Sequence, residues 1–471
     1  MPDLRPVLPE ILMIVLALTA LMADLVLKRK ETIAFFSVLS ALGVAYAAAI
    51  SQGSTFSGMF VADGYAIFFK VIFLVNLALT VMISEKYIAV ERVNFGEYYS
   101  LVMFATLGMM IMASAADLIV LYLGLELMAL STYILAGFIR YDVKSNEAAM
   151  KYFLLGAFAS AFLLYGTSLL YGMTGTTHLL TIAQRISERG LAGNPALILS
   201  MVLIAVAFSF KIAAVPFHMW APDAYEGAPT SVTAFMSVGP KAAGFAVLGR
   251  VFIFAFGAVK VEWTPLLIGI SIATMGLGNI VALSQTNIKR MLAYSSIAHA
   301  GYALIGIIAG GFNGIVGVMI YMLVYAFMNL GAFGVIILLR SEGFKGDRIS
   351  DFTGLSKTHP FAAALMLIFM FSLTGIPPTA GFWSKFYVFL AAINAGYTWL
   401  VIIAVIFSAI SAYFYLRIVM NMYMKEPDQT VELTTSHALS LALGVTAAAV
   451  LIIGVLPSVV MKFALYALSL Y

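Results

Sequence analysis

Two similar stretches interrupt the apolar pattern of this chain. Residues 208–220 read FSFKIAAVPFHMW and residues 371–383 read FSLTGIPPTAGFW, so each runs 13 residues from Phe to Trp with proline inside. Proline breaks a helix because it removes a backbone hydrogen bond. In a membrane such a break is tolerated only where the freed groups face protein or water. The two stretches therefore predict two broken membrane helices.

The composition identifies lipid as the solvent. Of 471 residues, 63% are hydrophobic and 10% are charged, and the mean hydropathy is +1.02. Soluble domains carry about 25% charged residues. The net charge of +4 does not suggest nucleic-acid binding, and the absence of cysteine excludes disulfides, thiolate metal sites and cysteine-held iron–sulfur clusters. We predict an all-α membrane protein with no redox centre in this chain.

Apolar runs long enough to cross about 30 Å of hydrocarbon recur along the whole sequence. They predict about fourteen transmembrane helices, at 8–27, 32–50, 61–83, 98–114, 117–139, 146–173, 194–218, 229–256, 263–284, 287–309, 312–340, 359–392, 398–423 and 437–461. The two broken stretches lie five spans apart. An odd number implies opposite orientation, as in transporters with inverted repeats.

The loops between these spans differ in charge. With the N-terminus outside, fourteen Lys and Arg residues fall on inner loops and five on the outer side. This asymmetry follows the positive-inside rule. We predict a multi-pass protein of a bacterial inner membrane with both termini on the periplasmic side. Residues 177–189, in an outer loop, fit either a short amphipathic helix at the interface or a capped loop turn.

Several ionisable residues fall inside the predicted spans, where function is the default interpretation. Glu126 lies about 13 Å deep at 1.5 Å per residue. The lysines are Lys151, Lys211, Lys241 and Lys385. The alternatives are a protonated glutamate bonded between helices, and lysines that snorkel to the headgroups.

Buried lysines suit proton transfer, because desolvation lowers the pKa of a lysine towards neutrality and a nearby carboxylate raises it. A change in the distance between Glu126 and Lys211 would therefore load or unload a proton. His218 and His299 titrate near physiological pH and would bridge gaps between lysines, although each also fits a helix-packing role. Lys70 and Arg417 lie too near predicted helix ends to separate function from snorkelling. No phosphate loop, dinucleotide-binding pattern or paired-histidine metal motif occurs.

Three longer segments carry a specific resemblance. Residues 211–235, 287–299 and 375–385 closely resemble signatures of the antiporter-like subunits of respiratory complex I, in the same order. The resemblance covers nearly the whole chain. Lysine at 385, where the M-type subunits have glutamate, favours the N-type branch of that family.

The resemblance implies a fourteen-helix fold with broken helices 7 and 12. It implies four segments: an N-terminal three-helix segment (1–97), two inverted five-helix repeats (98–256 and 263–423) and a C-terminal helix (424–471). It also implies a proton pathway formed by one glutamate, four lysines and two histidines: Glu126, Lys151, Lys211, His218, Lys241, His299 and Lys385.

The implied function is proton translocation driven by NADH oxidation and quinone reduction in other subunits. FMN, iron–sulfur clusters, NADH and quinone would belong to those subunits, and the implied partners are the other membrane-arm subunits and the lipid bilayer. Two alternatives stay open. One is a subunit of a multisubunit Na⁺/H⁺ antiporter, and the other is a membrane scaffold whose lysines only pair with acids.

Overall fold

The computed structural model describes residues 3–27, 29–341, 344, 346–427 and 433–469. These residues form nineteen α-helices: α1 (Leu8–Val26), α2 (Lys30–Ile50), α3 (Gly64–Val90), α4 (Glu97–Ser114), α5 (Leu118–Ala136), α6 (Val143–Thr174), α7 (Leu179–Glu188), α8 (Pro195–Lys211), α9 (Trp220–Gly227), α10 (Thr230–Leu248), α11 (Lys260–Leu283), α12 (Ile288–Ala309), α13 (Gly311–Leu338), α14 (Leu355–Thr358), α15 (Pro360–Thr374), α16 (Ala380–Asn394), α17 (Thr398–Met424), α18 (His437–Val455) and α19 (Ser458–Ser469). A π-helical segment, Gly249–Ala255, continues α10.

The helix lengths confirm the all-α membrane fold. In the described part of the chain, eleven helices are long and apolar enough to cross a membrane. They are α1, α2, α3, α5, α6, α10 with its π-helical continuation, α11, α12, α13, α17 and α18. With α4 and the two interrupted pairs α8/α9 and α15/α16, the helices give the fourteen crossings that the sequence predicts.

Both predicted breaks are confirmed. Helix α8 ends at Lys211 and α9 begins at Trp220, while α15 ends at Thr374 and α16 begins at Ala380. One prolyl peptide bond in each linker is cis, at Val215–Pro216 and Pro377–Pro378. The indole Nε1 of Trp220 donates to the Phe210 carbonyl at 3.0 Å, so a side chain satisfies one of the acceptors that the first break leaves free.

Several predicted boundaries are wrong, among them those of the third, seventh and fourteenth spans. The third span was placed from residue 61, but residues 53–62 form a small antiparallel hairpin of β1 (Gly53–Thr55) and β2 (Phe60–Ala62). Helix α3 starts only after Asp63, whose carboxylate accepts from the Ala66 N–H at 2.7 Å as an N-cap. The fourteenth span is divided at Pro457 into α18 and α19, because proline cannot donate the next helical hydrogen bond.

Residues 177–189 contain a helix, so the loop-turn alternative is wrong. Helix α7 buries Leu179, Ile182 and Ile186 and contacts the π-helical segment that follows α10. The amphipathic pattern therefore reflects, at least on this face, packing against protein. Leu180 is exposed.

Equivalent helix pairs recur in the two halves of the chain. Helices α4 and α5 cross closely, as do α11 and α12. At the first crossing a Cβ on Gly108 would lie 2.4 Å from the Met128 backbone nitrogen. At the second, a Cβ on Gly278 would lie 2.7 Å from the Ala298 backbone nitrogen. Small residues allow membrane helices to approach this closely.

The substitution Gly108→Ala tests the crossing of α4 and α5. Alanine normally stabilises a helix interior relative to glycine by about 1 kcal/mol. Here the added methyl group would overlap the α5 backbone, so we expect a loss of about 1–3 kcal/mol instead. The matched control is Gly172→Ala in α6, where a Cβ meets no atom within 4 Å. Thermal unfolding of the purified protein should separate the two variants, and equal midpoints would contradict this packing.

Candidate functional site

Three of the predicted lysines are buried in the middle of the bundle. Lys211 ends α8, Lys241 lies in α10 and Lys385 lies in α16, and all three side chains are almost fully enclosed. Snorkelling is therefore wrong for these three residues. A buried ammonium group requires polar partners or loses its charge. The surroundings of the three amines differ in this respect.

Of these three buried lysines, Lys211 is the one whose amine has no hydrogen-bond partner in the described structure. Its Nζ is buried, donates to no carbonyl or hydroxyl oxygen in the described structure, and lies 5.7 Å from the ring centroids of both Tyr133 and Phe210. Aromatic faces attract a cation but do not replace a hydrogen bond. The stability of the charged ammonium form of Lys211 therefore depends on charged groups that lie beyond hydrogen-bond distance.

Glu126 is half-buried in α5 and accepts a hydrogen bond from the Ser160 hydroxyl of α6. No ion pair within 4.0 Å joins it to Lys211 in the described structure. The expected Glu126–Lys211 pair is thus not in direct contact. The Glu126 carboxylate instead forms its hydrogen bond with Ser160 of α6. No feature of the sequence indicates Ser160 as the partner.

Lys241 follows Pro240 inside α10, a helix that is buried along its whole length. Its Nζ donates to the backbone carbonyl and the side-chain hydroxyl of Ser296 in α12, and lies 5.6 Å from the Tyr325 ring centroid. This lysine therefore connects the first half of the bundle with the second.

His299 lies one helical turn beyond Ser296 on α12, so the two residues share a face. Its Nδ1 lies 2.6 Å from the Tyr321 hydroxyl and its Nε2 lies 3.2 Å from the Tyr415 hydroxyl. The Tyr415 hydroxyl also contacts the Ser295 hydroxyl. Each of these groups can donate or accept, which is what a proton relay requires. The tyrosines come from α13 and α17, far away in the sequence.

Lys385 lies against the end of a broken helix. Its Nζ donates to the Thr374 carbonyl at 2.8 Å, the Leu373 carbonyl at 3.3 Å and the Ser408 hydroxyl at 2.9 Å. It also lies 5.0 Å from the Tyr302 ring centroid. The two carbonyls end α15, where the helix dipole is negative and free acceptors remain. The break thus forms the binding site for this ammonium group.

Lys151 has a different setting. Its side chain is 42% exposed and forms ion pairs of 2.7 Å with Glu147 and Asp223. Asp223 also binds Arg290 of α12 at 2.7 Å. Lys151 therefore belongs to a charged cluster at the ends of α6, α9 and α12 and not to the buried row.

His218 is half-buried in the linker between α8 and α9. The structure places it at the first break but does not connect it to Lys241 or Lys385 by a hydrogen bond.

Three further basic side chains inside the bundle are bound by protein groups. Lys70 forms a 2.8 Å ion pair with Glu10, and both side chains are buried. Arg250 binds Asp63 at 2.7 Å. Arg417 donates to the Leu283 and Gln285 carbonyls at the end of α11. Lys70 and Arg417 are therefore bound within the protein and do not snorkel.

A metal site has no support in the described part of the chain, where no group of three or more His, Cys, Asp or Glu side chains could hold an ion. The groups that the site offers are amines, a carboxylate, an imidazole and hydroxyls. Their chemistry is the binding and release of protons.

The amino-acid sequence of this chain is similar to those of known proteins. Residues 115–411 match the family described as NADH:quinone oxidoreductase/Mrp antiporter, TM. NADH-quinone oxidoreductase subunit N of Trichlorobacter lovleyi is 49% identical over 99% of this chain and 97% of its own length. Subunit N 2 of Rhizobium meliloti is 50% identical over 97% of this chain and 96% of its own length.

The chain belongs to the subunit N family of NADH-quinone oxidoreductases.

A solved structure of the same class supports the fold. A chain of respiratory complex I from Thermus thermophilus is 31% identical, superposes with a TM-score of 0.82, and is matched over 98% of its length and 96% of this one. The resemblance to the antiporter-like subunits of complex I is therefore confirmed. A membrane subunit of this family is part of an enzyme complex whose cofactors belong to other chains.

The different surroundings of two buried lysines predict different effects on stability. Lys385→Met would leave two helix-end carbonyls and a serine hydroxyl unpaired, and we expect it to cost about 1–3 kcal/mol. Lys211→Met removes an amine that has no partner, so we expect no loss. Thermal dissociation of the purified complex measures both, with exposed Lys86→Met as the control. A larger loss for Lys211→Met than for Lys385→Met would contradict this description of the two sites.

Proposed function

We propose that this chain translocates protons across the membrane through the row of buried groups formed by Glu126, Lys211, Lys241, His299 and Lys385. The observation that carries the proposal is the burial of three lysine amines in a bundle that also holds a hydrogen-bonded histidine between them. Intramembrane lysines are costly and mark ion pathways.

Glu126 and Lys211 form the controlling pair in this proposal. Because Lys211 Nζ has no local acceptor, its affinity for a proton depends on the distance of the Glu126 carboxylate. A shift of Glu126 away from Ser160 and towards Lys211 would stabilise the ammonium form. The reverse movement would release the proton.

The next steps run through α12. A proton released by Lys211 passes to Lys241, whose amine is already bound to Ser296. His299, one turn along α12, exchanges the proton through the Tyr321 and Tyr415 hydroxyls towards Lys385. Moving one charge against 100 mV costs about 2.3 kcal/mol. One pKa unit corresponds to about 1.36 kcal/mol, so changes of two to three units suffice.

The energy comes from elsewhere in the assembly. Relatives of this chain are named as subunits of NADH-quinone oxidoreductases, so NADH oxidation and quinone reduction in other subunits would drive the movement of Glu126. FMN and iron–sulfur clusters would lie in those subunits. Other membrane-arm subunits, including further antiporter-like ones, are the proposed neighbours.

In this proposal each half of the bundle contains one part of the proton pathway. Residues 98–256 would form the first five-helix repeat and 263–423 the second, flanked by the segments 1–97 and 424–471. The recurring glycine crossings of α4 with α5 and of α11 with α12 support this division. Lys241 and Ser296 would then transfer the proton from the first repeat to the second.

Lys151 and His218 would supply protons to the first repeat. Lys151 lies in the charged cluster at the ends of α6, α9 and α12, where it is accessible from outside the bundle. His218 lies at the break that follows Lys211. On the positive-inside rule this end of the bundle faces the cytoplasm of a bacterial inner membrane, and both termini face the periplasm.

The orientation can be measured directly, because the chain contains no cysteine. We expect a membrane-impermeant maleimide to label Arg5→Cys in intact spheroplasts and to leave Lys86→Cys unlabelled until the membrane is opened. The label is detected on the isolated band of this chain. Labelling of Lys86→Cys alone in intact spheroplasts would reverse the proposed orientation.

Lys241→Ala tests the proton pathway. Removal of the amine breaks the connection between the two repeats, so we expect the protons moved per NADH oxidised to fall in proteoliposomes that hold the whole complex. Lys86→Ala, which alters an exposed lysine outside the row, should leave this ratio unchanged.

A normal proton-to-electron ratio in Lys241→Ala would overturn the proposed pathway. Proton movement that requires Na⁺ and proceeds without NADH would instead favour the cation antiporter alternative. Failure of the lysine variants to assemble, with full pumping in the fraction that does, would favour the scaffold alternative.

A further inference from the structure

A cavity away from the proton pathway opens at one end of the bundle. It measures about 480 Å³ and lies between α1, α4 and α5. Its deeper wall is apolar and includes Leu21, Leu101, Phe104 and Ile134. Small-ligand sites in proteins measure about 300–1,000 Å³ and are mostly apolar with a few polar groups.

The charged groups of this cavity lie at its outer end. Glu97 is the first residue of α4, and Arg140 and Tyr141 follow the end of α5. Tyr141 is 79% exposed. Exposed tyrosine and arginine beside an apolar groove are typical of the level of lipid headgroups. The charged end thus faces the headgroups, and the apolar wall runs towards the acyl chains.

The two charges of the cavity do not neutralise each other. Glu97 and Arg140 are exposed, and neither takes part in an ion pair within 4.0 Å among the described residues. Only the backbone carbonyl of Arg140 is engaged, by the Asn146 side chain at 2.9 Å. A carboxylate and a guanidinium on one cavity are therefore both available to a ligand of mixed charge.

A contact between two helices borders the cavity. The Ser100 hydroxyl of α4 donates to the Ala17 carbonyl of α1 at 3.0 Å, and Ser100 also lines the cavity. Near the charged end a T-shaped contact of Phe95 and Phe138 forms part of the wall, with ring centroids 6.4 Å apart.

We propose that this cavity binds a phospholipid with a zwitterionic headgroup that ends in a primary ammonium, namely phosphatidylethanolamine. The phosphate would bind the Arg140 guanidinium, which can donate two parallel hydrogen bonds. The ammonium would bind the Glu97 carboxylate, and one acyl chain would lie along the wall formed by α1, α4 and α5.

The charges select this headgroup over other common ones. A purely anionic headgroup such as phosphatidylglycerol satisfies Arg140 but brings no cation to Glu97. A choline headgroup carries a cation that cannot donate a hydrogen bond to a carboxylate. A serine headgroup has both a phosphate and a donating ammonium, but it adds a carboxylate that Glu97 repels.

Native mass spectrometry of the purified complex, after exchange into detergent with defined lipids, tests the site. We expect the unchanged complex to retain one more phosphatidylethanolamine than the Arg140→Gln variant. Glu97→Gln should lose the preference and retain phosphatidylglycerol as readily as phosphatidylethanolamine. The controls are Arg29→Gln and Glu31→Gln, which alter exposed charges outside the cavity and should retain the full number.

A second variant tests the site without altering a charge. Leu101→Trp would fill the apolar wall with an indole ring, and we expect it to lose the same single lipid molecule. Equal lipid retention in Arg140→Gln, Leu101→Trp and the unchanged complex would overturn the proposal. So would a structure of the complex in which a helix of a neighbouring subunit fills the cavity.

Discussion

Helices that end inside an apolar bundle leave backbone carbonyls without partners, and the rest of this structure depends on how those acceptors are satisfied. Basic side chains supply the partners at several ends. Inside the bundle Lys385 binds the end of α15. At the end of the bundle that holds the Lys151 cluster, Lys289 donates to the carbonyls of Glu226 and Ala228 at the end of α9. Arg417 binds the end of α11. Lys385, which a lipid solvent would exclude, is thus held in place by the break between α15 and α16.

Lys211 differs from the other two buried lysines in its surroundings. It ends a broken helix as well, but the carbonyl of Phe210 is taken by Trp220, and the Lys211 amine has no partner. Lys241 and Lys385 have fixed local acceptors, whereas the proposal makes Lys211 respond to the position of Glu126. In that proposal a small movement of one carboxylate would change the charge at the start of a row whose other members stay in position.

The sequence predicted the spans, both breaks and the burial of Lys211, Lys241 and Lys385, because apolar runs and proline positions are local signals. It could not predict contacts that depend on tertiary packing. The hydrogen bond of Glu126 to Ser160, the hydroxyls around His299 and the ion pair of Lys70 with Glu10 join residues from distant helices. It also placed Lys151 inside a span, where the structure shows a half-exposed residue in a charged cluster.

Infrared difference spectroscopy of the intact complex, with ¹⁵N-labelled lysine, tests the central role of Lys211 most directly. The spectra compare the resting enzyme with the enzyme during NADH oxidation. A lysine whose proton is loaded and released should give an isotope-sensitive band that disappears in Lys211→Met, and this is the predicted result. An unchanged lysine band in Lys211→Met, with electron transfer intact, would contradict the account.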